Sequence, residues 1–237
     1  MDIDLFEDKE AWKSVETKDL ITQLPNYFEF TGDIDHSAYL NWRFDNYYGT
    51  ENDFYKMGSA YFEVAIQLID DCLANNSDKK ADIWIFPILF NVVHGIEIYL
   101  KGFNSQIRIL EKLKKNEYQD SKIEGGHNIL QLCQQAISLI NQSSQNDLLI
   151  EFKFVKRFIE ILYEHTDDMT FARYPIAKKG ESHFYVKQSK NITIDLDVLR
   201  VWVCKVFSIL DCCTGFVDFQ VDEIKQWLYE MQQEYLY

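Results

Sequence analysis

Residues 86–103 read FPILFNVVHGIEIYLKGF, an apolar stretch holding His94, Glu97 and Lys101 at spacings of three and four. In a helix these spacings set the three polar side chains along one face. A carboxylate so placed can orient a histidine, and a lysine can hold an anion. His127 follows the Gly125-Gly126 break, where the next helix should begin and where free amide groups can meet an anion. Arg173, in Arg173-Tyr174-Pro175, adds a guanidinium suited to an anion or a base. His94, Glu97, Lys101, His127 and Arg173 thus form one candidate polar pocket. The competing reading is a polar network that fixes helix packing and binds nothing.

A second pair, Arg157 and His165, is the fallback catalytic reading. On one continuous helix the two residues stand about 80° apart around the axis. They would converge on a phosphodiester, with His165 as acid–base and Arg157 steadying charge. Other chemistries have no signature here. The chain has no H-E-x-x-H run or Cys/His quartet for a metal, and no G-x-S-x-G elbow for a serine nucleophile. The expectation is no metal and no cofactor.

The elements that position these residues read as helices. The 237-residue chain is 47% hydrophobic and 15% aromatic, with 3 prolines and 9 glycines. That composition favours long helices over a many-turned β fold. Helical periodicity appears from Glu51 to the NNSD at 75–78, from Asp82 to Phe103, and from Ser105 to Glu117. It returns from His127 or Asn128 to Ile140, from Asp147 to His165, and from Asp195 to Thr214, with Gly215 as a stop. Asp222 can cap a last helix. Shorter helices are expected at Asp8–Leu24 and His36–Tyr48. The alternating HFYVKQSKNITIDL predicts a small β-hairpin at 184–194. The expected fold is all-α: an antiparallel bundle of five to seven helices with that one hairpin. Residues 1–50 read as an acidic, aromatic arm packed on the bundle, and residues 51–237 as the helical domain with its C-terminal helix.

Charge then bounds the partner. The net charge is −14. Residues 1–82 hold 18 acids and 7 bases, residues 83–205 hold 14 and 16, and residues 206–237 hold 6 and 1. Acidic ends repel phosphate backbones, which argues against direct nucleic-acid binding and favours a basic protein partner. Asp33, Asp35 and Asp53 would steer such a partner, while Trp42, Tyr47 and Tyr48 would anchor it. A homodimer stays open. The five cysteines lack C-x-x-C spacing, which fits a reducing cytoplasm. Adjacent Cys212 and Cys213 read as core filling. The apolar run Ile83–Val93 is interrupted by Pro87 and Asn91 and is too short to span a bilayer.

Three segments resemble the HEPN superfamily of helical bundles, in its uncharacterised bacterial branch. They are FNVVHGIEIYLKGF at 90–103, GHNILQL at 126–132 and DDMTFARYPIAKKGESHF at 167–184. The resemblance covers roughly Glu51 to Thr214. Many HEPN proteins are metal-independent ribonucleases whose signature is an arginine, four to six residues, then a histidine. This chain departs from it, because seven residues separate Arg157 from His165 and nine separate Arg173 from His183. Superfamily members without catalysis serve in toxin–antitoxin, phage-defence or toxin-immunity systems. The resemblance therefore implies a non-catalytic binding protein of the immunity or antitoxin type, with a nuclease toxin as its basic partner. The alternative it implies is a degenerate HEPN ribonuclease.

Overall fold

Apolar side chains recur at helical spacing through most of the sequence, and a computed structural model of the chain is helical where they do. It describes residues 10–24, 26–28, 35–40, 50–115, 125–143, 145–166, 168–177, 179–187 and 191–234. The chain divides into two units, Met1–Asp45 and Asn46–Tyr237. In the first, a 3-10 turn at Ala11–Ser14 precedes α1, Thr17–Gln23. The single helix expected at Asp8–Leu24 is thus broken at Val15 and Glu16. Residues 36–40 are not helical, and the rest of the helix expected at His36–Tyr48 lies outside the described residues.

The second unit holds α2 (Thr50–Ala74), α3 (Ala81–Lys114), α4 (Ile129–Gln142), α5 (Leu149–Tyr163), α6 (Phe184–Lys187) and α7 (Leu196–Glu234). The architecture is all-α. α3 is the axis: it packs against α2, α4, α7 and the 3-10 turn Met169–Ala172. It buries Val92, Ile96, Leu100, Phe103, Ile107 and Leu110 among their neighbours. By length and composition this helix could cross a bilayer, yet 56% of its apolar window is buried inside the bundle, as befits a central helix.

Two breaks expected from the sequence do not occur. The helices predicted at 82–103 and 105–117 are one, and those predicted at 195–214 and from Asp222 are also one. On α7 the buried set Val203, Val206, Leu210, Cys213, Val217 and Val221 keeps its spacing of three and four across Gly215. A helical glycine costs only about 1 kcal/mol relative to alanine, less than that continued apolar face contributes. Of the adjacent cysteines, Cys213 is buried in this face and Cys212 is exposed, so only one fills core.

The predicted hairpin at 184–194 is absent. Residues 184–187 form α6, residues 191–195 have no strand partner, and 188–190 lie outside the described residues. A strand would send Phe184 and Tyr185 to opposite faces. Here both pack inward, Phe184 on Phe171 at 5.3 Å and Tyr185 on Phe86 at 5.3 Å between ring centroids. A helical turn allows that and a strand does not. The one isolated bridge among the described residues pairs Ile176 with Ser182. It closes a turn at Gly180, whose φ of +76° suits glycine.

Glycine also sets the distance between α2 and α3. A Cβ on Gly58 would fall 2.6 Å from Tyr99 Cδ2, and one on Gly95 would fall 2.9 Å from Phe62 Cδ2 and 3.3 Å from the Gly58 carbonyl oxygen. Behind them, Phe62 stacks on Phe207 of α7 with centroids 5.0 Å apart. Gly58→Ala should therefore lower unfolding free energy by about 1–3 kcal/mol through overpacking. Gly215→Ala meets open space and should raise it by about 0.5–1 kcal/mol. Urea denaturation of the two variants checks both signs.

Candidate functional site

The site is built on the fifth turn of α3. Glu97 points from α3 toward the start of α4 and is only 8% exposed. Lys101, one turn along, donates from Nζ to Glu97 Oε1 at 2.8 Å. His127 Nδ1 lies 2.8 Å from the same oxygen. An ionised carboxylate only accepts, so His127 donates from Nδ1, and its largely exposed ring, 82% for the side chain, presents the remaining edge to solvent.

Local structure fixes this clasp from the α4 side. Asn128 is the N-cap of α4, its side chain accepting from the Gln131 amide at 3.0 Å. Gly126, at φ +103°, turns the chain into that cap. Asn104, fully buried on α3, donates from Nδ2 to the Leu132 carbonyl at 3.1 Å. That bond sets the height of α4 on α3, and with it the position of His127. Beside the histidine, Gly125, Gly126, Asn128, Gln131, Leu132 and Gln135 line a cleft of about 340 Å³.

His94 stands one turn before Glu97 and, among the described residues, makes aromatic contacts instead of a polar one. Its ring meets the edge of Tyr61 at 4.5 Å and stacks on Phe90 at 5.7 Å. Burial depresses the His94 pKa, and the charges of Lys101, Arg173 and His127 add to the depression against an opposing pull from Glu97. Arg173 is thus close enough for its charge to weigh on His94. It is exposed, with its guanidinium 5.9 Å from the Tyr174 ring. For Glu97, burial raises the pKa, but the hydrogen bonds and charges of Lys101 and His127 outweigh it and the net shift is downward. Two basic groups, Lys101 and His127, thus face one carboxylate that is held ionised. The arrangement can orient His127 for proton transfer, or it can hold α3 and α4 together.

The fallback pair is not assembled. α5 ends at Tyr163, so His165 lies beyond the helix that carries Arg157. Arg157 Nη1 donates to Glu164 Oε1 at 2.6 Å, and His165 stacks on Phe184 with centroids 5.9 Å apart. His183, by contrast, is buried, and its Nε2 donates to the Tyr174 carbonyl at 2.8 Å, pinning the Arg173-Tyr174-Pro175 turn. Of the partner-facing set, Asp35 is exposed in the first unit. Asp53 sits in the first turns of α2, 3.7 Å from Lys56. Asp33, Trp42, Tyr47 and Tyr48 lie outside the described residues.

Sequence reasoning missed Asn104 and the aromatic neighbours of His94. It also missed a groove of about 560 Å³ at the start of α3, walled by Phe86, Phe171, Phe184, Tyr185, Ile192 and Leu196. The available signal was the crowding of aromatics at 171–185, which alternation disguised as a strand.

Comparison with known protein families, curated proteins and solved structures gives no match.

The pKa shifts set a pH profile. Both His94 and Glu97 are depressed in the folded state. Each therefore contributes stability that is present above its unfolded pKa and lost as pH falls through its folded one. Stability should decline in two stages on acidification, the first below the ordinary histidine range of ~6.5 and the second below the ordinary carboxylate range of ~4.3. His94→Phe should remove the upper stage. Glu97→Gln should remove the lower one and cost about 1–3 kcal/mol at neutral pH by leaving Lys101 without its ionic acceptor. Thermal melts across pH, followed by circular dichroism, read both effects.

Proposed function

We propose that the chain is a non-catalytic, HEPN-like binding protein of a bacterial conflict system. In this reading it is an immunity- or antitoxin-type protein of the cytoplasm that neutralises a basic partner such as a nuclease toxin. The observation that carries the reading is the surface of the first unit. Its described part exposes Tyr27, Phe28 and Leu40, with Glu10, Glu16 and Asp35 also exposed. Tyr27 and Phe28 lie against each other at 4.9 Å. Exposed aromatics anchor interfaces, and surrounding carboxylates steer a basic partner toward them.

A second reading is metal-independent phosphodiester cleavage. The observation favouring it is His127, held through Nδ1 by Glu97 with its other edge in solvent, with Lys101 on the same carboxylate oxygen and Arg173 close enough for its charge to weigh on His94. It does not draw on Arg157 and His165, which are engaged elsewhere.

Purification of a cognate basic protein from the native host on the immobilised chain decides between the readings. Its association rate should fall steeply with salt. Asp33→Lys with Asp35→Lys should slow association roughly threefold to tenfold, whereas Glu111→Lys should leave it nearly unchanged. The wild-type chain should leave cellular RNA intact. RNA degradation that disappears in His127→Ala and Arg173→Ala would replace the first reading with the second.

A further inference from the structure

The second half of α7 presents a surface that the candidate pocket does not use. From Phe216 to Glu230 the helix buries one side through Val217 and Val221, with Ile224 and Leu228 partly buried against the same core. At 100° per residue, Phe216, Phe219, Glu223, Trp227 and Glu230 fall on a separate stripe about 80° wide. Phe216 is 47% exposed, Phe219 62% and Trp227 54%. Glu223 and Glu230 are exposed between and beyond them. Three large aromatics on a solvent face, interleaved with carboxylates, are more than scattered surface apolarity.

We propose that this stripe is a second contact surface for the basic partner, taking an apolar segment flanked by lysine or arginine. The inference rests on the basic-partner reading above and extends it to the opposite end of the sequence. Charge selects the occupant. Residues 206–237 carry 6 acids and 1 base, so a second copy of this helix would bring like charges together along the stripe. Glu223 and Glu230 would likewise repel nucleic acid and an anionic bilayer. A partner with complementary cations satisfies both glutamates while Phe216, Phe219 and Trp227 bury their rings. The stripe runs for roughly 20 Å at 1.5 Å per residue, enough to seat several turns of a helix in the helix-on-helix manner.

The test uses the full chain and a fluorescein-labelled helical peptide of leucine and lysine as probe, followed by anisotropy. A peptide with glutamate in place of lysine and a lysine-only peptide serve as comparisons. Wild type should bind the leucine–lysine peptide in preference to both. F219A/W227A should weaken binding at least about tenfold. E223K/E230K should weaken it and flatten its salt dependence. Both pairs lie on the solvent face, and unchanged melting curves would verify that the variants fold. Equal binding by wild type and F219A/W227A, with loss in Asp33→Lys/Asp35→Lys, would remove the stripe and keep the basic-partner reading. No binding of the basic peptide by wild type would overturn both for this chemistry. Sedimentation showing a dimer that F219A/W227A converts to monomer would assign the stripe to a second copy and overturn the proposal.

Discussion

The close approach of α2 to α3 is the constraint from which the second unit follows. Gly58 and Gly95 let the two backbones meet where any side chain would collide with Tyr99 or Phe62. That closeness allows Tyr99, Phe62 and Phe207 to share one aromatic cluster, with neighbouring centroids 5.0–6.2 Å apart. The cluster brings α7 onto the α2–α3 pair. With α3 fixed on that side, its other face is free to take α4 through Asn104 and the clasp at Glu97. Moving α2 outward by even a methyl group would disturb the packing behind it, because protein interiors hold little slack.

Apolar packing alone leaves a long helix free to slide, and α7 is 39 residues long. A series of polar links fixes its register. Arg200 pairs with Asp70 of α2, Asp211 accepts from the Tyr99 hydroxyl at 3.0 Å, Gln106 bonds Asp218, and Gln220 exchanges hydrogen bonds with Gln145. The hydrogen bonds of Tyr99, Gln106 and Gln145 are each worth only about 1 kcal/mol net, and the exposed Arg200–Asp70 pair adds little. A slip of one turn would break all of them together and take its Asp211 acceptor from the hydroxyl of Tyr99, whose pKa is driven upward chiefly by burial. The links therefore select one alignment more than they add stability.

The helical class and most helix positions were legible because they depend on local periodicity. A helix start at His127 or Asn128 was legible for the same reason, and Asn128 is the cap; His127 groups with Glu97 in the sequence only because a polar helix face needs partners. What was not legible depended on contacts distant in sequence. Gly215 looks like a stop until Val217 and Val221 are seen to continue the buried face. Phe184 and Tyr185 look like alternating strand residues until Phe171 and Phe86 are seen to draw both to one side. His165 is expected on the same helix as Arg157, about 80° around its axis, but α5 ends two residues too soon and Glu164 takes the arginine. The aromatic stripe on α7 was hidden by the expectation of a break in the middle of it.

The cysteines acquire a practical meaning from the same helix. Cys72, Cys133 and Cys213 are buried, and Cys204 is intermediate. Burial pushes the Cys133 and Cys213 thiols up to about 12, where almost no thiolate exists at neutral pH to react. Cys212 alone is exposed, and by helical phase it falls in line with Phe216 and Phe219. The native chain thus offers a nearly unique attachment point for a thiol-reactive dye, one turn from the aromatic stripe. Protection of that one sulfur against alkylation would report coverage of the helix without altering a single residue.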